Sequence, residues 1–187
     1  MPTVRGRKLR VLFDADAIRR RNADMAREIA AAGYRDLLVV SILKGSFVFA
    51  ADLIRALHDA GLEPEVEFLA LSSYGEDTVS SGQVRVVRDI ETDVRGRDVL
   101  IVDDILESGR TLAFARDLMR ERGARRVAIA VLLDKRGRRA AAVEADHVGF
   151  DCPDYFVVGY GMDVAHAFRE LPYVGVIEDA PDAGTRT

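Results

Sequence analysis

The stretch Val-Leu-Ile-Val-Asp-Asp-Ile-Leu-Glu-Ser-Gly-Arg-Thr at 99–111 constrains the fold more than any other part of the chain. Its four leading apolar residues predict a strand buried on both faces, as found inside parallel sheets. Asp103 and Asp104 stand where that strand is expected to end, and a Ser-Gly turn leads into a helix predicted over 111–122. With the strands and helices that alternate along the rest of the chain, this unit predicts an α/β protein with a central parallel sheet flanked by helices.

The same stretch predicts a ligand site. In open α/β sheets, ligands bind beyond the carboxyl ends of the strands, and a helix N-terminus there offers N–H groups and a positive dipole to a phosphate. Asp103 and Asp104 would repel that phosphate unless they bind hydroxyl groups or a metal. A phosphorylated sugar satisfies both demands, with its phosphate on 108–111 and its diol on the aspartates. The alternative is an ordinary βα unit, in which the aspartates cap a turn and Ser108 caps the helix.

Composition excludes several classes of protein. The 187 residues carry 31% charged and 49% hydrophobic side chains and a net charge of −4, which is typical of a soluble globular protein of one domain, 1–187. The sequence has no basic stripe of the kind that nucleic-acid-binding proteins carry. It also has no apolar run that approaches the ~18 residues of a membrane span. Cys152 is the single cysteine, and no signal-peptide core follows the basic first residues. We therefore expect a cytoplasmic protein without nucleic-acid or membrane partners.

The remaining elements follow from periodicity and turn residues. Asp14 is expected to cap a helix that ends near residue 32, and Ser46 to begin one that ends at Gly61. A short helix is predicted over 140–145. Strands are predicted over 11–13, 37–43, 65–71, 83–90, 127–133, 147–150, 156–159 and 174–177. The N-terminal segment and residues from about 147 to 180 are expected to form a small hood over the strand ends.

Residues 99–111 resemble the signature with which the type I phosphoribosyltransferase family binds 5-phosphoribosyl 1-pyrophosphate (PRPP): a hydrophobic strand, two acids, a short loop, then Gly and Thr. The resemblance implies the fold of that family, and it implies that Asp103 and Asp104 hold the ribose 2′- and 3′-hydroxyls. The loop that binds the 5′-phosphate would consist of Glu107, Ser108, Gly109, Arg110 and Thr111.

Two further segments match loops of the hypoxanthine-guanine enzymes in this family. Leu43-Lys44-Gly45-Ser46 resembles their pyrophosphate loop, in which the Leu–Lys bond is often cis; taken alone it is an ordinary helix start. The resemblance implies that Lys44 and Gly45 contact pyrophosphate, together with Arg169. The polar loop 72–82 is an exposed linker by composition, whereas the resemblance implies a flexible lid carrying Ser73 and Tyr74.

The base would be recognised at the end of a later strand and in the hood. Lys135 is an ordinary solvated charge by itself, and Phe156 an ordinary core residue. The resemblance implies that Lys135 contacts a purine 6-oxo group, that Phe156 stacks on the base, and that Val157 contacts it through its backbone. Asp163 would lie near a Mg²⁺ on the pyrophosphate, and Asp103, Asp104 and Asp163 are the expected metal ligands.

Together these motifs imply an enzyme that converts PRPP and hypoxanthine, and also guanine, into IMP or GMP and pyrophosphate, with Mg²⁺ and as a homodimer or homotetramer. Glu107 departs from the family, whose residue for handling the purine N7 proton is usually Asp. A pyrimidine phosphoribosyltransferase and a PRPP-sensing regulatory protein are the alternatives. Lys135 and the Phe156–Val157 pair favour a purine over a pyrimidine, and the acidic surface disfavours a regulator that binds nucleic acid.

Overall fold

The computed structural model describes residues 2–73 and 84–178, with Ser73 described by its backbone only. Within these ranges the chain forms ten strands, three α-helices and one short 3-10 turn. In chain order they are β1 (Thr3–Val4), β2 (Arg7–Phe13), α1 (Ala15–Ala31), β3 (Leu37–Leu43), α2 (Phe47–Asp59), β4 (Glu65–Ser73), β5 (Val84–Arg88), β6 (Asp98–Leu106), α3 (Arg110–Glu121), β7 (Arg126–Asp134), the 3-10 turn Arg136–Arg138, β8 (His147–Asp151), β9 (Val157–Val158) and β10 (Val174–Ile177).

The larger sheet has six strands in the order β5-β4-β3-β6-β7-β8. Strands β4, β3, β6, β7 and β8 run parallel, and β5 pairs with β4 in the antiparallel direction. The predicted parallel sheet is therefore confirmed for all strands except this edge. The carboxyl ends of β3, β6 and β7 meet at one edge, which is the edge where the sequence predicts the ligand.

Both faces of the sheet are covered, which explains the continuous apolar runs of its strands. Val39 and Leu100 belong to a core with residues of α1 and α2, such as Met25 and Leu53. The alternate residues of the same strands point to the other face of the sheet and pack with α3, in a core that includes Met119. Since successive side chains of a strand point to opposite faces, burial of every position requires helices on both sides.

The strands predicted over 37–43 and 174–177 are confirmed without change, and the helix after Asp14 begins as expected, with the Asp14 carboxylate accepting from Ala17 N–H at 2.7 Å. The helix predicted over 140–145 is wrong, since these residues form no helix. The N–H groups of Ala140 and Ala141 donate to the Ser108 carbonyl at 2.9 and 3.0 Å, so the segment is held against the loop before α3. This long-range contact overrides the helix propensity of the four alanines in the segment.

A smaller antiparallel sheet, in the order β1-β2-β10-β9, stands beside the larger one. It has a separate apolar core, to which β2 contributes Leu9 and the later segment contributes Phe168 and Leu171. Its connecting loop places Gly161 against the carbonyl of Gly45, beyond the end of β3. The small sheet thus reaches the carboxyl edge of the large one. Within the described ranges, none of the helices is long and apolar enough to cross a membrane.

Candidate active site at the carboxyl edge of the sheet

Strand β6 borders a gap in the sheet, because its pairing with β3 ends earlier than its pairing with β7. Pairing with β3 ends at Ser41 and Val102, whereas pairing with β7 continues to Leu106 and Asp134. The strand therefore extends four residues beyond its predicted end, and Asp103 and Asp104 lie within it. On the β3 side they face a gap in the sheet.

The two carboxylates are close together and poorly solvated. Asp103 is only 8% exposed, and its Oδ1 accepts from Asp104 N–H at 2.9 Å. Burial and the charge of Asp104 raise the pKa of Asp103 well above its usual range. Burial also raises the pKa of Asp104, although the Asp103 hydrogen bond and the charge of Arg169 act in the opposite direction. Both groups are thus costly to ionise until a ligand supplies hydroxyl donors or positive charge.

The loop after β3 lies directly against Asp104. The peptide bond between Leu43 and Lys44 is cis, as the resemblance implies. A Cβ atom at position 45 would overlap the carboxylate of Asp104, so only glycine lets the backbone approach this closely. The structure therefore brings the predicted pyrophosphate loop and the predicted ribose-binding carboxylates to the same place.

The predicted phosphate loop begins α3. Gly109 caps the helix with a left-handed backbone, φ +80°, where a Cβ atom would overlap the side chain of Val143. Ser108 Oγ accepts from Arg110 N–H at 3.4 Å, so the serine assists the start of the helix without being its N-cap. The first N–H groups of an α-helix have no partner within the helix, so they can bind an anion.

A cavity of about 330 Å³ lies next to these residues, between β6, β7 and the small sheet. Six of the predicted site residues line it, together with residues to which the sequence assigned no role. Its lining consists of Asp104, Ile105, Glu107, Lys135, Arg138, Asp154, Tyr155, Phe156, Val157, Met162 and Asp163. Its volume is at the lower end of the range for small-molecule sites and suits a bicyclic base.

Lys135 reaches into this cavity from the end of β7. It is 6% exposed, and its ammonium donates to the carbonyl of Tyr155 at 2.7 Å, which leaves two further donors. Phe156 is 48% exposed, with its ring on the cavity wall, whereas Val157 is buried beside it. Lys135 is therefore not the solvated charge that its isolated position suggests.

Glu107 faces a cation that the sequence did not single out. Arg138 Nε lies 3.9 Å from Glu107 Oε1 and donates to Asp154 Oδ2 at 2.9 Å. Within the run at 136–139, a local pattern predicts only a solvated face, so nothing in the sequence distinguishes Arg138 from its neighbours. Tyr155 and Met162 likewise had no predicted role, although they stand next to Phe156 and Asp163 in the sequence.

Asp163 is held by other groups of the hood. Its carboxylate pairs with Arg169 Nη2 at 2.7 Å and accepts from His166 N–H at 2.9 Å. Among the residues that the structure describes, no three His, Cys, Asp or Glu side chains are grouped so that they could hold a metal ion. Asp103, Asp104 and Asp163 stay the predicted metal ligands.

The predicted lid begins at Ser73, the last residue of β4. Tyr74 lies outside the described residues, and the side chain of Ser73 does as well. Arg169 lies among the described residues. Besides its pairing with Asp163, its Nη1 donates to the carbonyl of Gly161 at 2.6 Å.

Comparisons with known proteins agree with this geometry. Residues 11–165 match the family described as "Phosphoribosyl transferase domain". The chain is 44% identical to the hypoxanthine-guanine phosphoribosyltransferase of Bacillus subtilis (strain 168) over 173 residues, which cover 91% of this chain and 94% of the relative. It is 40% identical to the enzyme of that name from Aquifex aeolicus (strain VF5), with 96% and 100% covered.

Solved structures show the same similarity. A hypoxanthine phosphoribosyltransferase from Staphylococcus aureus superposes with a TM-score of 0.84 at 37% identity, covering 90% of this chain and 91% of that one. The hypoxanthine phosphoribosyltransferase of Trypanosoma cruzi gives a TM-score of 0.87 at 38% identity, with 94% of each chain covered. The predicted fold class is confirmed, and the chain belongs to the type I phosphoribosyltransferase family, in its hypoxanthine-guanine branch.

Proposed function

We propose that this protein is a purine-salvage enzyme that transfers the 5-phosphoribosyl group of PRPP to hypoxanthine, and also to guanine, and releases pyrophosphate. The observation that carries this proposal is the cavity in which Glu107, Lys135 and Phe156 lie next to Asp104 and the start of α3. The names of the relatives support the same reaction. They do not favour a pyrimidine substrate or a regulatory protein.

PRPP would bind across the gap beside β6. Its 5′-phosphate would lie on the loop from Glu107 to Thr111, where the first N–H groups of α3 are available. Asp103 and Asp104 would accept hydrogen bonds from the ribose diol. Lys44, Gly45 and Arg169 would surround the pyrophosphate, and Ser73 and Tyr74 remain the predicted lid.

The base would occupy the 330 Å³ cavity. A purine ring there stacks on the exposed ring of Phe156, and its edge meets the backbone of Val157. The Lys135 ammonium donates to a 6-oxo group, in addition to the Tyr155 carbonyl that it already contacts. Adenine carries an amine at that position, and a lysine cannot accept a hydrogen bond from it.

The chemical step breaks the bond between ribose C1 and the pyrophosphate oxygen, which leaves with the electron pair. A purine nitrogen forms the new bond to C1, and the proton on N7 passes to the carboxylate of Glu107. The position of Glu107 supports this role, because its side chain lines the cavity proposed for the base, with its Oε1 3.9 Å from Arg138 Nε. Glutamate in place of the family's usual aspartate puts the carboxylate about one bond length further along the side chain.

Mg²⁺ is the proposed cofactor, and it would neutralise charge on the leaving pyrophosphate. The donor set fits a cation bound partly by substrate: Mg²⁺ is commonly held by one or two carboxylates plus substrate phosphates and water. Asp103 and Asp104 supply two neighbouring carboxylates, and burial raises the pKa of each. Asp163 is already paired with Arg169 and would act through that arginine.

Assembly and location belong to the proposal as well. The solved T. cruzi relative was studied for the role of its C-terminal region in oligomeric state and activity. A homodimer or homotetramer, a single domain over 1–187 and a cytoplasmic location stay predictions for this chain.

Steady-state kinetics with PRPP, Mg²⁺ and the bases hypoxanthine, guanine and adenine test the function directly. We expect turnover of the two oxopurines, and a kcat/KM for adenine lower by a factor of at least about 10³, because the buried Lys135 would be left unpaired. Uracil and xanthine serve as further substrates for comparison. A kcat/KM for adenine comparable with that for hypoxanthine would refute the oxopurine assignment.

A further inference from the structure

The phenol of Tyr160 joins three parts of the chain that are far apart in sequence. Tyr160 lies in the hood, is 4% exposed, and donates its hydroxyl proton to the carboxylate of Asp52 in α2. The same hydroxyl accepts from the side-chain amide of Asn22 in α1, at 2.9 Å. The hood is therefore attached to the two helices that cover one face of the sheet.

The directions of these bonds are fixed. Burial and the Asp52 carboxylate raise the pKa of Tyr160 well above its usual value, so the phenol stays a donor. Asn22 must then donate, and its buried Oδ1 has no hydrogen-bond partner among the described residues. A buried acceptor without a partner is unfavourable, so Asn22 is oriented for Tyr160 at a cost to its own pairing.

The backbone around Tyr160 is strained. Gly159, Tyr160 and Gly161 have φ angles of +95°, +51° and +99°, all in the left-handed region. Tyrosine rarely adopts that region, and such a conformation persists where the surroundings determine it. Its two hydrogen bonds are the contacts that hold this residue from the side-chain end.

The strained segment touches the pyrophosphate side of the site. A Cβ atom on Gly161 would overlap the carbonyl of Gly45, so the two backbones are in direct contact. The carbonyl of Gly161 also accepts from Arg169 Nη1 at 2.6 Å. A second cavity, of about 710 Å³, is lined by Asn22, Asp52, Tyr160 and Arg169 among others, so the phenol, its two partners and Arg169 share one pocket. The N–H of Gly161 also donates to the carbonyl of Arg169, at 3.0 Å, so a shift of this segment would move Arg169 with it.

We propose that Tyr160 is a positioning residue for pyrophosphate: its hydrogen bonds to Asp52 and Asn22 hold the 159–161 backbone against Gly45 and so place Arg169. This inference rests on the proposed function. Tyr160 touches no reacting atom. It acts through Gly161, whose position decides where Arg169 and the Lys44–Gly45 loop stand relative to each other.

Tyr160→Phe tests the proposal by removing one oxygen atom and keeping the ring. We expect two constants to rise about tenfold: the Kd for magnesium pyrophosphate, measured by calorimetry, and the KM for PRPP. A hydrogen bond to a charged group changes an equilibrium constant by about tenfold or more. The KM for hypoxanthine should stay within twofold of wild type, because no residue of 159–161 lines the cavity proposed for the base. Asp52→Asn keeps an acceptor for the phenol and should shift the same two constants by a smaller factor.

Tyr34→Phe is the matched control. Tyr34 is also buried and hydrogen-bonded, to His147 Nε2 at 2.9 Å, but it lies just before β3, at the opposite edge of the sheet. It should lower the melting temperature and leave pyrophosphate binding and both KM values unchanged. An unaltered pyrophosphate Kd in Tyr160→Phe, or equal changes in both tyrosine variants, would overturn the proposal. A wild-type protein that binds pyrophosphate but never converts hypoxanthine would refute the proposed function instead.

Discussion

Strand β6 carries a buried aspartate near each of its ends, and the two ends are built differently. At the amino end, Asp98 Oδ2 accepts from the backbone of Arg35 at 2.8 Å and from the guanidinium of Arg125. At the other end, Asp103 has a second carboxylate, Asp104, as its neighbour. At the first edge the buried charge faces a cation of the protein, although Asp98 Oδ1 has no hydrogen-bond partner among the described residues. At the second edge two carboxylates lie side by side and accept from the backbone N–H groups of Asp104 and Ile105.

The contrast separates residues that stabilise the fold from residues that bind substrate. At the amino edge, Arg97 pairs with Glu65 at 2.7 Å and with Asp36 at 3.2 Å, so cations and carboxylates are matched there as well. At the carboxyl edge, burial and like charge raise the pKa of both aspartates. Carboxylates whose pKa values are perturbed in this way are characteristic of functional sites.

The largest expected effect is on Glu107. Glu107→Gln keeps the size of the side chain and removes its ability to accept a proton, so kcat should fall by about 10² to 10⁴ with PRPP affinity little changed. Glu107→Asp restores the usual residue of the family and should retain most activity. The control from the amino edge is Glu65→Gln, for which we expect wild-type kcat. A kcat for Glu107→Gln within threefold of wild type would mean that Glu107 does not act as the base.

Next is the affinity for PRPP. Exchange of both Asp103 and Asp104 for Asn replaces charge-assisted hydrogen bonds with neutral ones, at about tenfold in affinity for each residue, or about 100-fold together. Calorimetric titration of the folded variant with PRPP and Mg²⁺ measures this loss. Asp98→Asn should instead destabilise the protein, because it weakens the pairing with Arg125, and should leave PRPP affinity unchanged. Unchanged affinity in the double variant would leave Asp103 and Asp104 with a turn-capping role only.

A smaller effect is expected on stability, where exchange of Asp103 should be favourable instead of unfavourable. A carboxyl group with a raised pKa in the folded state binds protons more tightly there than in the unfolded chain. The free energy of unfolding therefore falls as pH rises from about 4 to the raised pKa of Asp103, and the loss is complete above it. Asp103→Asn removes this loss, so the ligand-free variant should be more stable than wild type at pH 7. Urea unfolding at several pH values would contradict this if the variant were the less stable protein at pH 7.

The smallest effect is expected for an exposed pair at the amino edge. Arg122 donates twice to Asp89, at 2.8 and 2.6 Å, and this lowers the pKa of Asp89. A lowered pKa contributes stability above the unfolded value near 4, and that contribution is lost as pH falls through the folded pKa. Because both side chains are partly exposed, Asp89→Asn should cost only about 0.2 to 1 kcal/mol at pH 7 and nothing at pH 2. The sign of its pH dependence is opposite to that of Asp103→Asn, and the same urea titrations distinguish them.

The elements that could be predicted are those whose environment is recorded in local sequence. Leu37–Leu43 is buried on both faces, so its continuous apolar run gave the correct limits. Strand β6 was predicted too short because its apolar run stops at Val102, whereas its backbone goes on pairing with β7. Strand β2 begins four residues before its prediction, since Lys8 and Arg10 flank the fully buried Leu9 and hide an alternating pattern.

The site divides in the same way. The aspartates follow the apolar run of β6, and the phosphate loop and Lys135 follow the ends of β6 and β7, so local order indicates their place. Arg138 and the contact of Tyr160 with Asn22 cannot be predicted locally, because the contact spans 138 residues of sequence. Long-range pairing of this kind depends on how two helices and the hood pack, and no periodicity records it.

The end of pairing between β3 and β6 at Val102 has a consequence for the entropy of ligand binding. Above Val102, β6 keeps a ladder on one side only, and β3 continues beside β4 as far as Leu43. Each wall of the gap is anchored by its own ladder, so the gap cannot collapse when it holds solvent. A substrate therefore meets a cleft whose width is set during folding, and little conformational entropy is lost from these two walls on binding.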